Sequence, residues 1–397
     1  MISAAEANTI ISGTVPTLGA VTVGLERSLH RVLAEDVVAQ EQVPAFDNAQ
    51  MDGYAVRVDD VQRPPVSLKV VGEVAAGTMP EREIRRGEAM RIMTGARVPA
   101  GSDAVIQQEW TEGTDAAAVN VVRSVQAGHN IRKSGSDIGA GSVVLRKGHF
   151  IRAQEIGVLA SLGKRYIVVY RQAIVAILPT GNEIIEIDRP LSEGKVRNSN
   201  AYALASLVRE AGGEPFRLDV AADEKHDLKE KILTGLGYDM LISAGGVSVG
   251  KYDLVVEVMR ELGVEIRFWK VNIKPGMPLV YGTYNEKPVF GLPGNPVSAV
   301  ITFMQFVRPA LRQMMGRNER RDLTVYARLS VEIKKADGKR HFVRGILEHR
   351  DGTLEVSPIG SQVSNVLTSL TLANCLILLP EEKEIFRAGE IVEVELL

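Results

Sequence analysis

The chain has a single cysteine, Cys375, in 397 residues. That excludes an internal disulfide and a cysteine-based zinc site, and it predicts a small, buried apolar side chain. The six histidines form no spaced cluster, so neither a histidine metal centre nor a Ser-His-Asp triad can be read from them. Net charge is only −2, which leaves no global bias toward nucleic acid or a membrane surface; any anion site must come from local geometry. No apolar run has the length needed to span a bilayer. Residues 1–13 lack a basic stretch followed by an apolar core and read instead as a short helix opened by a Ser3/Glu6 capping box. The expected location is the cytoplasm. No internal repeat or low-complexity segment stands out.

What is present is ordinary in amount and informative in order. Hydrophobic residues are 45% and charged residues 24%, enough for several cores and therefore for two or more domains. Residues 1–40 read as helical, with a second amphipathic stretch near 25–38. From residue 43 short β-like runs (66–71, 104–106, 118–122) alternate with Gly/Pro punctuation. Helical periodicity returns at 151–160. The expected division is a helical domain of residues 1–42 plus 138–167, interrupted by a β-rich lobe at 43–137, then an αβ domain at 168–318 and a C-terminal β domain at 319–397. The αβ region alternates strands (173–178, 216–220, 238–242, 288–290) with helices (200–211, 223–236, 253–262, 296–315). That pattern predicts a parallel, doubly wound sheet whose loops gather at the strand C-termini. The fold class is multidomain α/β, with a barrel or sandwich at the end of the chain.

The densest signal is Ser243-Ala244-Gly245-Gly246-Val247-Ser248-Val249-Gly250-Lys251-Tyr252-Asp253. A glycine-rich turn between a strand and a helix N-terminus lets backbone N–H groups approach a phosphate. Gly245 and Gly250-Lys251 have Walker A spacing, but Tyr252 stands where that motif needs a hydroxyl for magnesium. Three further loops should converge on the same crevice: Pro179-Thr180-Gly181-Asn182-Glu183, the turn at Asp223, and Gly291-Leu292-Pro293-Gly294-Asn295-Pro296-Val297-Ser298. Glu183, Asp223 and Asp253 beside a phosphate repel it unless a hard cation such as Mg2+ bridges them; each acid taken alone reads first as a helix cap, and only the three together favour the metal. Lys270, Lys274 and Ser298 place two cations and a hydroxyl close in sequence to the last loop, suited to an oxyanion. In the β-rich lobe, Asp52 sits in Met51-Asp52-Gly53-Tyr54, a loop that could present it outward or simply be an Asp-Gly turn.

Taken together these segments resemble the MoeA family, the molybdopterin molybdenumtransferases, which include the E domain of gephyrin. The resemblance rests on Phe46-Asp47-Asn48, Met51-Asp52-Gly53-Tyr54-Ala55-Val56, Arg91-Ile92-Met93-Thr94-Gly95-Ala96, Asn130-Ile131-Arg132, the four loops above and Lys274-Pro275-Gly276-Met277-Pro278. It covers essentially the whole chain in order. The glycine-rich loop alone also occurs in molybdopterin adenylyltransferases and CinA-like proteins; the Met-Asp-Gly-Tyr segment and the C-terminal β domain separate this chain from them.

The resemblance implies a central MogA-like domain and an elongated homodimer with a cleft shared between subunits. It implies insertion of molybdate, as co-substrate, into adenylylated molybdopterin with release of AMP and a need for Mg2+. A molybdopterin adenylyltransferase is an implied protein partner. By motif, Ser243, Gly245, Gly246, Val247 and Ser248 would cradle the phosphate with Thr180 and Gly181. Glu183, Asp223 and Asp253 would hold magnesium or activate water. Asp52, Thr94 and Arg132 would reach the cleft from the partner's lobe. Lys274 and Ser298 would hold molybdate, with Lys270, Pro275, Pro293, Gly294, Asn295 and Pro296 shaping the site and Lys339, Arg344 and Ser364 contributing from the last domain. Met277 stands where many members have a second lysine, Ser136 where glutamate is common, and Lys339-Arg340-His341-Phe342 where Arg-x-Glu-Phe is usual. Alternatives on the same core are a tungsten-preferring enzyme, another nucleotide-processing enzyme and a non-catalytic scaffold.

Overall fold

A computed structural model describes residues 1–115, 117–246, 254–317 and 324–397. The first helix, Ala4–Thr14, opens on the expected reciprocal cap: Glu6 N donates to Ser3 Oγ at 3.2 Å and Ser3 N to Glu6 Oε2 at 2.7 Å. Its buried Ala4, Ala7 and Ile11 pack with Met304, Val307 and Leu311 of the αβ domain. The helical reading of residues 25–38 does not hold. Leu25–Arg27 is a single 3₁₀ turn, His30 has φ 62°, and Val32 and Leu33 bridge to Phe150 and Val169. Leu25, Leu29, Val32, Leu33 and Val37 have helix-like spacing, but Val32, Leu33 and Val37 are buried by extended pairing with distant strands and Leu29 stays exposed. Ala20–Gly24 runs antiparallel to Tyr166–Tyr170, and Val37–Val38 to Val143–Leu145. A Val-Thr-Val run suits that pleated surface better than a helix.

The β-rich lobe holds a six-stranded sheet in the order Ala104–Gln107, Gly53–Val56, Glu88–Ile92, Val66–Val74, Ala118–Val121, Thr111–Asp115. Its two apolar clusters draw only on residues of the lobe itself, such as Tyr54, Leu68 and Ile106 on one side and Ala55, Met90 and Ile92 on the other.

In the αβ domain the sheet order is Glu214–Arg217, Ile174–Pro179, Met240–Ala244, Lys287–Leu292, Val280–Tyr284, Glu265–Trp269. The first four strands are parallel and Val280–Tyr284 runs antiparallel to both its neighbours, so the sheet is mixed rather than wholly parallel. The period-2 rule decides which helices each face carries. Val175, Ile177 and Ile242 point to the helices Ser199–Glu210 and Pro296–Thr302, while Ala176, Leu178 and Leu241 point to Lys225–Leu236 and Leu254–Glu261. The expected long helix over 296–315 is broken into Pro296–Thr302, a π turn at Phe303–Val307 and Arg308–Met314. Pro309 gives the physical reason: it lacks the N–H that would bond to residue 305, and its ring crowds that carbonyl.

The C-terminal domain is a closed barrel. Arg340–Arg350 pairs with both Thr353–Pro358 and Cys375–Leu379, and Ile391–Leu396 closes the circuit through Thr324–Leu329. Cys375 is fully buried and free, and burial pushes its thiol up to about 11. Strand addition and a buried ion pair are among the contacts that fasten the barrel to the αβ domain. Ile273–Lys274 adds itself parallel to Arg340–His341. Buried Glu395 accepts from Gln305 Nε2 and Arg308 Nη2, each at 2.7 Å.

Candidate active site

Four strand-end loops of the αβ sheet meet as expected. Thr180 N donates to Ala244 O at 3.1 Å, Gly181 N to Ala221 O at 3.0 Å and Gly245 N to Leu292 O at 3.1 Å. Gly245 and Gly246 have φ of 105° and 65°. A Cβ on Gly245 would lie 2.6 Å from Thr180 O, and one on Gly246 would lie 2.3 Å from Val255 Cγ2. Only glycine fits this backbone. Two buried hydroxyls at the same strand ends, Thr180 Oγ1 and Ser243 Oγ, have no hydrogen-bond partner among the described residues. Leaving such groups unmade costs about 1–3 kcal/mol each, so their presence points to a polar ligand. Val247, Ser248 and Asp253 lie outside the described residues.

Glu183 and Asp223 are exposed on either side of Asn182. Asn182 N donates to Asp223 Oδ2 at 3.2 Å while its Oδ1 accepts from Asp223 N at 3.1 Å. A Cβ at Gly181 would lie 2.6 Å from Glu183 Oε2, which places that carboxylate over the Gly181 backbone. Among the described residues no three His, Cys, Asp or Glu side chains are close enough to share a metal ion.

The fourth loop carries the crevice toward the barrel. A Cβ on Gly294 would be 3.6 Å from Gly245 Cα, and Asn200 Nδ2 fixes the Gly294 carbonyl at 2.7 Å. Pro293 is buried beneath it, and Pro296 occupies the first helical turn. Asn295 Nδ2 donates to Ser364 Oγ at 3.2 Å and Val297 N to Ser364 O at 3.2 Å. Ser298 is buried in the first turn of the helix. The turn holding Lys274 and Pro275 packs there too: a Cβ on Gly276 would meet Thr302 Cγ2 at 2.4 Å and Ser298 O at 3.6 Å.

On the barrel side, Arg344 is fully buried. Its Nη2 donates to Ser361 O at 3.0 Å and Val363 O at 3.3 Å, while Nε and Nη1 have no partner among the described residues. Gln362 orders the same loop from both ends, accepting from Arg344 N and donating to Arg344 O at 3.0 Å each. Burial lowers the Arg344 guanidinium from its usual range. A guanidinium keeps its proton in practice, and among the described residues no carboxylate pairs with this one, so its buried charge is met by carbonyl oxygens alone.

Other expected residues lie differently. The Lys270 ammonium sits over the Trp269 ring, 5.3 Å from its centroid. Lys339 contributes its backbone, accepting from Lys335 Nζ at 2.8 Å. In the β-rich lobe, Asp52 Oδ1 accepts from Thr94 N at 2.6 Å and Thr94 Oγ1 at 2.7 Å, and Arg132 Nη2 meets Asp137 Oδ2 at 3.2 Å. Among the described residues no hydrogen bond or ion pair joins these three to the crevice. Asn182, inside the Pro179–Glu183 segment but given no role there, organises the site together with Asn200 and Gln362, which carry no motif; a polar amide next to a strand end or helix start is their only signal.

This geometry defines a multidomain αβ protein in which the strand-end loops of the central sheet meet the C-terminal barrel through Asn295 and Ser364. Residues 176–313 match the family described as "Probable molybdopterin binding domain". Residues 2–163 match "MoeA N-terminal region (domain I and II)" and 326–397 "MoeA C-terminal region (domain IV)". The chain is 35% identical to a molybdopterin molybdenumtransferase of Haemophilus influenzae, covering 94% of this chain and 92% of that protein. It is 36% identical to one of Bacillus subtilis, covering 94% and 89%. A molybdopterin biosynthesis protein from Pyrococcus horikoshii superposes with a TM-score of 0.87 at 32% identity over 100% of both chains. The chain belongs to the MoeA family of molybdopterin molybdenumtransferases, and it is an enzyme of that family.

Proposed function

We propose that the protein inserts molybdenum from molybdate into adenylylated molybdopterin and releases AMP. The observation that carries this reading is Arg344, a fully buried guanidinium with two open donors. It is linked through residues 361–364 and Asn295 to the glycine turn. A phosphate held at Gly245 and Gly246, with Thr180 Oγ1 as donor, leaves the other end of the substrate pointing along the crevice. Lys274, Ser298, Ser364 and Arg344 would then hold the oxyanion near the dithiolene. Backbone and side-chain donors fixed before the reaction stabilise charge that develops as the phosphate leaves.

Glu183, Asp223 and Asp253 would hold Mg2+, which would neutralise phosphate charge as AMP departs. The donor set fits a hard cation, since Glu183 and Asp223 offer only oxygens. We further infer a cytoplasmic homodimer in which Asp52, Thr94 and Arg132 serve the partner's cleft, fed by a molybdopterin adenylyltransferase. Two things support a lobe acting on another chain: its core is separate, and its polar cluster has no bonded contact with its own crevice among the described residues.

The direct test is incubation with adenylylated molybdopterin, Mg2+ and either molybdate or tungstate, following AMP release and metal retention. Magnesium- and oxyanion-dependent AMP release is expected; AMP release with no metal retained would sink the insertion reading. Mixing Asp52→Ala with Asp253→Asn protein tests the shared cleft. Mixed dimers should regain part of the activity, whereas no recovery after confirmed subunit exchange means a cleft within one chain.

A further inference from the structure

The turn that carries Lys274 is stitched to the barrel so that a carboxylate lands on the lysine. Lys274 is in register with His341, Arg340 N donates to Asn272 O at 3.0 Å, and Asn272 Nδ2 donates to Gly338 O at 2.7 Å. These bonds bring the 337–339 turn over the lysine. Asp337 Oδ2 is 3.5 Å from Lys274 Nζ. The other oxygen, Oδ1, accepts from His341 Nε2 at 2.7 Å and from Lys339 N at 3.4 Å. Partial burial works against charge on Asp337, yet the His341 bond, the Lys339 N–H and Lys274 hold it below the usual carboxylate range. Burial lowers the His341 pKa against the bond and charge of Asp337, which raise it, with Lys274 and Lys335 adding to the lowering. The histidine therefore serves as a donor that aims Asp337.

We propose that Asp337 is a built-in competitor for the oxyanion: it occupies the Lys274 ammonium in the empty enzyme and thereby sets the oxyanion concentration the enzyme needs, with His341 as its positioning residue. This rests on the reading that Lys274 meets molybdate. An arriving dianion has to displace the carboxylate or share the lysine with it. Any abundant dianion attracted by Lys274 alone meets that opposition, whereas one that also engages Arg344 overcomes it. Lys274 keeps 60% of its side chain exposed, so water screens the pair and the effect is moderate.

The test is equilibrium dialysis of molybdate against the full-length protein, paired with molybdate titration of AMP release. Asp337→Asn and Asp337→Ala should each tighten molybdate roughly two- to fivefold, the scale of an exposed ion pair. Asp337→Glu should keep the wild-type value, and His341→Phe should shift in the same direction as Asp337→Asn by less. In a Lys274→Ala background the Asp337 substitutions should do nothing. Unchanged or weaker binding in both neutral variants overturns the proposal, because a carboxylate that merely shaped the turn would not oppose the anion. If Lys274→Ala itself leaves molybdate binding unchanged, the oxyanion is held elsewhere and the placement on Lys274 fails with it. If Lys274→Ala weakens binding and the Asp337 variants do not tighten it, only the competitor role is lost.

Discussion

At the strand ends of the αβ sheet the candidate contacts come from main chain: Gly245, Gly246 and the ends of three neighbouring loops, locked by sheet hydrogen bonds. At the barrel they come from side chains that belong to different domains, Lys274 on one and Arg344 and Ser364 on the other. The first arrangement is rigid because the sheet that holds it is the core of the domain. The second depends on the docking of the barrel, to which Ile273–Lys274, Glu395 and Ser364 contribute. One end is therefore sensitive to added atoms and the other to lost charge.

Substitutions can separate the two ends. Gly245→Ala should have the largest effect. Its Cβ would meet Thr180 O at 2.6 Å, and the backbone is held at φ 105°. The turn must shift, displacing N–H groups from the phosphate; losing one such donor costs ~10²–10³ in rate. AMP release within threefold of wild type would show that the turn does not hold the phosphate.

Arg344→Met should cut the other way. Removing a charge-assisted hydrogen bond costs ~1.5–3 kcal/mol, a tenfold to hundredfold rise in the molybdate needed. Stability should hold or increase, since an unpaired buried cation gives way to an apolar side chain of similar length. A thermal midpoint several degrees lower with molybdate dependence unchanged would make Arg344 a strut of the loop, not an anion receptor.

The contrast also explains what could be read from the sequence. The glycine end is one continuous run plus loops that a doubly wound sheet must bring together, so Thr180, Glu183, Asp223 and Gly294 were placed by topology alone. Arg344 is one of 47 Lys and Arg residues; nothing local marks it as buried, and family resemblance alone drew attention to it. Asp337 was not anticipated, because its partner Lys274 is set by strand register between two domains. Helical spacing at 25–38 misled for the same reason: pairing with Phe150 and Val169 is long-range information. The broken helix at 303–307 was legible in principle from Pro309.

Thr180→Val probes the glycine end more gently. The hydroxyl is buried without a partner, so an isosteric methyl should leave the free enzyme as stable or slightly more so. Adenylylated molybdopterin should bind more weakly by about 0.5–1.5 kcal/mol, roughly twofold to tenfold. Loss of stability with unchanged substrate binding would assign Thr180 to the fold.

The smallest expected effect lies in the β-rich lobe, where a third arrangement appears: a carboxylate prepared by its own neighbours. The Thr94 N–H, then the Thr94 hydroxyl, and to a lesser degree the charge of Arg91 hold Asp52 below the usual carboxylate range, against slight desolvation. With the folded-state pKa below the unfolded one, the bond contributes stability fully above the ordinary aspartate value of about 3.9 and loses it as pH falls through the lowered folded value. Near neutral pH the group is ionised, so it is ready to accept a hydrogen bond or meet a cation without first losing a proton. Thr94→Val removes the hydroxyl but leaves the N–H. The Asp52 titration, followed by carboxyl carbon chemical shift, should move part of the way back toward the ordinary value, with no change near neutral pH. A titration identical to wild type would mean that the backbone alone prepares this acid. The lobe would then match the glycine end, built of main chain, and not the barrel end.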